Sequence, residues 1–94
     1  MELETPQIKY DSRYTANRLA RAVGHLKLVR NMVESGADCT EVLIQLAAVR
    51  GQLDSICSKL LSRYAEQFAE EYRRSGDKSL IEAFQAEIAR AVKK

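Results

Sequence analysis

Thr40–Arg74, TEVLIQLAAVRGQLDSICSKLLSRYAEQFAEEYRR, is the stretch that decides the architecture. Within it Val42, Leu46, Val49, Leu53, Ile56 and Leu60 recur at alternating steps of four and three, the apolar seam of helices packed at a shallow angle. Tyr64, Phe68 and Tyr72 carry the stripe onward at steps of four. No proline interrupts it, and Gly51 costs a packed helix only about 1 kcal/mol. A continuous helix over these residues would be about 50 Å long. A compact chain of this size has a radius of gyration of about 13 Å. The rest of the chain cannot cover so long a seam, so the pattern predicts pairing with a second copy, antiparallel about a two-fold axis. Burial of Leu, Val and Ile side chains at about 1.5–3 kcal/mol each would drive it. The alternative is a break near Gly51 and a monomeric four-helix bundle.

Outward from this helix, the chain reads as helices joined by short turns. Upstream, Leu19, Val23, Leu26, Val29 and Val33 form an apolar stripe on a helix that starts at Ser12 and stops at Ser35-Gly36, where glycine supplies a left-handed cap. Asp38 with Glu41 then has the spacing of a capping box for the long helix. Downstream, Ser75-Gly76-Asp77 breaks the pattern. A third helix from about Ser79 places Ile81, Phe84, Ile88 and Val92 on one face. Residues 1–11 hold the only proline and no periodicity, and read as a flexible arm before a single domain over 12–94. The fold class expected is all-α, a three-helix protomer with a long central helix, as an antiparallel homodimer and possibly a dimer of dimers.

Composition agrees. Of 94 residues 46% are hydrophobic, enough for one core, and 30% are charged, which favours a solvated surface. No segment approaches the roughly 20 consecutive apolar residues of a membrane span. The polar start lacks the apolar core of a signal peptide, and two cysteines then read as reduced thiols in a cytoplasmic protein. The net charge of +2 is too small to demand an anionic partner, but its distribution is uneven. From Ser12 to Val33 the charges are Arg13, Arg18, Arg21, Lys27 and Arg30, without one acid. Arg18, Arg21 and His25 fall near one side of that helix, and Arg50 adds a charge on the next. Such a face is either the footprint of phosphate contact or a solvated surface.

Catalytic signals are missing. No Gly-rich phosphate loop, Ser/His/Asp set or paired-carboxylate signature occurs, and the expectation is no enzyme and no cofactor. Cys39 opens the long helix, where helix N-termini in general favour a reactive thiolate. Cys57 lies about 27 Å further along, too far for a disulfide within one helix. Its neighbours Ile56, Leu60 and Leu61 predict a buried thiol. One histidine and two distant cysteines make no metal cluster in one chain.

The runs Arg18–His25 (RLARAVGH), Met32–Cys39 (MVESGADC) and Cys39–Arg50 (CTEVLIQLAAVR) resemble the copper-sensitive-operon repressor family, which includes nickel/cobalt- and formaldehyde-responsive repressors. The similarity extends over roughly Ser12 to Val92. It implies dimers of three-helix protomers, often paired again, that repress transcription by holding operator double-stranded DNA on a basic helical surface. Arg18, Arg21 and Arg50 match family positions where basic residues serve DNA binding, and Arg13 is a further candidate. An arginine common in the family is here Asn31, beside Arg30, which alters the register of positive charge.

The sensing site departs further. In the copper sensors the cysteine matched by Cys39 is joined by a histidine and a cysteine 25 and 29 residues later, from the partner subunit; here those places are Tyr64 and Phe68. A phenol and a phenyl ring are poor copper(I) ligands, so copper or nickel sensing is not expected. Phe68 also removes the second cysteine of the persulfide-responsive members. Pro6 stands near the N-terminal proline of the formaldehyde-responsive members but has no free amine. The resemblance thus implies a repressor whose partners are operator DNA, itself and a small effector. That effector would be an electrophile or oxidant sensed at Cys39 with Tyr64 and Phe68. Cys39 as merely packed core is the plainer alternative, and a helical oligomerisation or adaptor module without DNA binding is the other functional reading.

Overall fold

A computed structural model describes residues 9–92 as three helices: α1 (Ser12–Glu34), α2 (Cys39–Ser75) and α3 (Ser79–Val92). Among the described residues no strand occurs, so the all-α three-helix expectation holds. Residues 1–8 of the expected arm lie outside the described residues. α2 passes through Gly51 without a break, and its 37 residues rise about 55 Å.

The ends of the helices follow local chemistry. Asp11 caps α1, its carboxylate accepting from the Tyr14 amide at 2.9 Å. At the other end Gly36 takes φ +80°, a left-handed turn that a side chain would strain. Asp38 caps α2 through Oδ2, which accepts from the Thr40 amide at 3.2 Å, the second amide of the turn rather than the third. Gly76 repeats the left-handed stop after α2 at φ +68°. The Asp77 carboxylate then accepts from the Ser79 amide at 3.0 Å and the Ser79 hydroxyl at 2.8 Å, starting α3. These bonds hold its carboxyl below the usual range.

The described residues divide into two compact units, Asp11–Leu60 and a second built from residues 61–92 with Lys9 and Tyr10. The first is a helical hairpin of α1 and the first part of α2. Its inward row on α1 is Thr15, Arg18, Ala22, His25, Val29 and Met32; on α2 it is Val42, Gln45, Val49, Gln52 and Ile56. Only Ala22, Val29, Val49 and Ile56 are buried. The expected seams therefore need correcting. Leu46 and Leu53, placed on the α2 seam by their spacing, are exposed, as are Leu19, Val23, Leu26 and Val33 on α1. The reason is a polar layer at mid-seam. His25 Nε2 lies 2.7 Å from Gln45 Oε1, and His25 Nδ1 lies 2.8 Å from Gln52 Nε2. These groups occupy the positions that Leu46 and Leu53 were expected to fill, and turn the leucines outward. His25 thus belongs to the seam and not to a basic surface.

In the second unit Phe68 and Ala83 are buried. Phe84 of α3 stacks on Phe68 and Tyr64 with ring centroids 4.6 and 5.4 Å apart. Lys9 is tied to the same unit: its amide donates to Gln67 Oε1 at 2.9 Å, and its carbonyl accepts from Gln67 Nε2 and Arg63 Nε. Leu80, Ala83, Phe84 and Ile88 face inward on α3, whereas Ile81 is exposed.

Candidate nucleic-acid interface

The two sides of the α1 inward row differ in chemistry. One carries Leu19, Val23, Leu26 and Val33; the other carries Tyr14, Asn17 and Arg21. On the polar side, Arg18 is half-buried and committed. Its Nη1 donates to the Tyr14 hydroxyl at 2.8 Å and its Nη2 to Ser55 Oγ of α2 at 3.2 Å. Its guanidinium carbon also sits 5.6 Å from the Tyr14 ring centroid, and Lys59 Nζ sits 5.2 Å from it. The hydrogen bond and charge of Arg18, then the charge of Lys59, lower the Tyr14 phenol below its ordinary value.

Tyr14, Asn17, Arg18, Arg21 and Gln52 line an open cleft of about 420 Å³. Arg18 and Arg21, three residues apart on α1, are brought together there. Arg13 and Arg50 are exposed and do not line this cleft. Arg50 follows Val49 on the side of α2 that carries Leu46 and Leu53. All the ion pairs among the described residues lie beyond Leu60: Arg63–Glu66, Arg73–Glu70, Arg74–Glu71 and Arg90–Glu87. Among the described residues the hairpin cations therefore have no carboxylate partner.

The three candidate sensing residues fall in different units. Cys39 is exposed at the first residue of α2. Tyr64 is half-buried and Phe68 buried, both against Phe84, which the sequence pattern marked as core and not as part of a site. The Tyr64 hydroxyl is buried without a partner. Burial first, and then the charge of Glu87, raises its phenol above the ordinary value, against a smaller opposing effect of Arg90. Cys57, expected to be buried, is exposed, because Ile56 takes the inward position and its neighbour turns away.

Comparison with known proteins joins this geometry to a family. Residues 11–94 match the metal-sensitive transcriptional repressors. The chain belongs to that family. Its members are transcriptional repressors, not enzymes. Over 61 residues the chain is 33% identical to the copper-sensing transcriptional repressor CsoR of Bacillus subtilis (strain 168), covering 65% of this chain and 60% of that protein. No solved structure matches.

The residues present do not fit the metal that the family's description implies. Among the described residues no group of three His, Cys, Asp or Glu side chains gathers. Both nitrogens of His25 are engaged by Gln45 and Gln52. Phe68 offers no donor atom, and Tyr64 offers a phenol whose ionisation is disfavoured. No helix of the described residues is long and apolar enough to cross a membrane.

Proposed function

We propose that this protein is a transcriptional repressor that holds duplex DNA against the cationic side of its α1–α2 hairpin, as an oligomer of the chain. The observation that carries this reading is a hairpin whose arginines lack carboxylate partners among the described residues, in a chain that pairs its other arginines locally. Arg18 and Arg21 are its central contacts, and Arg13 and Arg50 add charge at separate places. Leu19, Val23, Leu26, Leu46 and Leu53 form an aliphatic surface that water does not favour, and an antiparallel second copy would cover it. A dimer doubles the phosphate-contacting surface.

Release of DNA is assigned to a small effector at Cys39, with Tyr64 and Phe68 of a second protomer beside it. The thiol is exposed, and the donor set at the other two places favours an electrophile or oxidant over copper(I). Intact-mass measurement after exposure to aldehyde, persulfide and peroxide tests this: the expected result is an adduct or oxidation lost in Cys39→Ser. An unmodified Cys39 under every treatment removes the sensing role. For DNA, fluorescence anisotropy on duplex at rising salt should show affinity falling steeply, with Arg18→Ala weaker at every salt. Binding that ignores salt, or no binding at all, would leave an oligomerisation module.

A further inference from the structure

The cleft between α1 and α2 contains more than DNA contact requires. Arg18 is locked by Tyr14 and Ser55 before any ligand arrives, so its fork is pre-oriented. Arg21 is exposed and makes no hydrogen bond among the described residues, leaving its donors open. Asn17 and Gln52 bring amides to the same cleft, and no carboxylate lines it. The lowered Tyr14 phenol reports the same positive environment. Two guanidinium groups and two amides supply donors from several directions. That suits a tetrahedral anion with three or four acceptor oxygens better than a planar carboxylate with two. Its volume of about 420 Å³ also leaves room for whatever the anion is attached to.

The polar layer behind the cleft bears on the same point. With Gln52 Nε2 donating to His25 Nδ1, Gln52 Oε1 is buried without a donor. The layer has a second arrangement with the same atoms. If His25 carries its proton on Nδ1 and both glutamine amides turn over, Gln45 Nε2 donates to His25 Nε2 and His25 Nδ1–H donates to Gln52 Oε1. Gln52 then holds an N–H where the orphaned oxygen now stands. In either arrangement Gln52 ties the wall of the cleft to His25 in the seam.

We propose that the cleft lined by Tyr14, Asn17, Arg18, Arg21 and Gln52 is a phosphate-binding site, with Arg18 as the fixed fork and Arg21 as the closing one. The phosphate comes either from the DNA backbone or from a free phosphorylated small molecule, and the site stands whether or not DNA is the ligand. The test titrates the whole protein with inorganic phosphate at constant ionic strength, following the arginine Nε–H and glutamine amide signals by NMR. A saturable shift of Arg18, Arg21 and Gln52 is expected. Arg21→Ala should weaken binding about ten- to a hundredfold with helicity unchanged, whereas Lys27→Ala, equal in charge lost but outside the cleft, should leave it intact. No saturable shift, equal weakening by both variants, or acetate binding as tightly as phosphate would overturn the site. Competition then separates the sources. Phosphate displacing duplex DNA more than chloride does supports a backbone phosphate in the cleft. Phosphate binding with DNA affinity unmoved supports a free phosphorylated ligand. Loss of DNA binding with phosphate binding retained would contradict the repressor reading and not the site.

Discussion

Residues 11–60 and residues 61–92 are both helical and carry similar numbers of charges, yet they use them in opposite ways. Beyond Leu60 the arginines sit three residues from glutamates and pair with them, and the interior is an aromatic cluster of Tyr64, Phe68 and Phe84. In the hairpin no ion pair forms among the described residues; Arg18 instead bonds to neutral hydroxyls, and the middle of the seam is a histidine between two glutamines. Local pairing neutralises a surface, while unpaired arginines keep their field and donors for something outside the chain. The difference separates a region built to pack from one built to bind.

The largest expected effect lies in the packed region. Phe68→Ala should cost about 3–5 kcal/mol, since it removes the most buried ring of the aromatic cluster; thermal melting followed by circular dichroism reads it. A loss under 1 kcal/mol would mean that the cluster is not a core. In the hairpin, Val49→Ala should cost less, near the lower end of about 2–5 kcal/mol, because polar groups share its seam. Leu53→Glu sharpens the contrast. Helicity should persist because Leu53 is exposed in the single chain, but light scattering should report single subunits where the parent gives an oligomer. An unchanged mass would remove the aliphatic surface as the interface.

Tyrosine ionisation distinguishes the regions by sign. Tyr14 should ionise below the ordinary tyrosine value of about 10, and Tyr64 above it. The Tyr64 contribution to stability is therefore present below about pH 10 and is lost as pH rises through its higher folded value. The Tyr14 contribution runs the other way: it is fully present above about pH 10 and is lost as pH falls through its lowered value. Ultraviolet absorbance titration of Tyr14→Phe and Tyr64→Phe separates the two. The smallest effect belongs to the exposed ion pairs: Arg73→Ala should change stability by no more than about 1 kcal/mol.

Much of this architecture is legible in the amino-acid sequence alone. The helices, their glycine stops at Gly36 and Gly76 and the continuity of α2 follow from periodicity and turn chemistry, which are local. Which apolar residues face inward was not readable. α2 carries an apolar arc wider than one neighbour can cover, so a single stripe through Leu46 and Leu53 averages a buried edge with an open one. The layer of His25, Gln45 and Gln52 hides for a related reason: polar residues inside a seam are tolerated only when they satisfy one another, and that pairing is tertiary. The apolar neighbours of Cys57 predict burial, yet the thiol is exposed, since one step along a helix turns a side chain about 100°. At the candidate site, the charge of Arg18 and Arg21 was legible, but the tether of Arg18 to Ser55 and the cleft beside it were not.

The most direct test is the slope of log affinity for duplex DNA against log salt, measured for the parent, Arg21→Ala and Arg74→Ala. A hairpin that binds phosphate predicts a steep negative slope, reduced by about one unit per bound subunit in Arg21→Ala and unchanged in Arg74→Ala. Equal slopes for all three proteins, or a larger loss from Arg74→Ala, would contradict it.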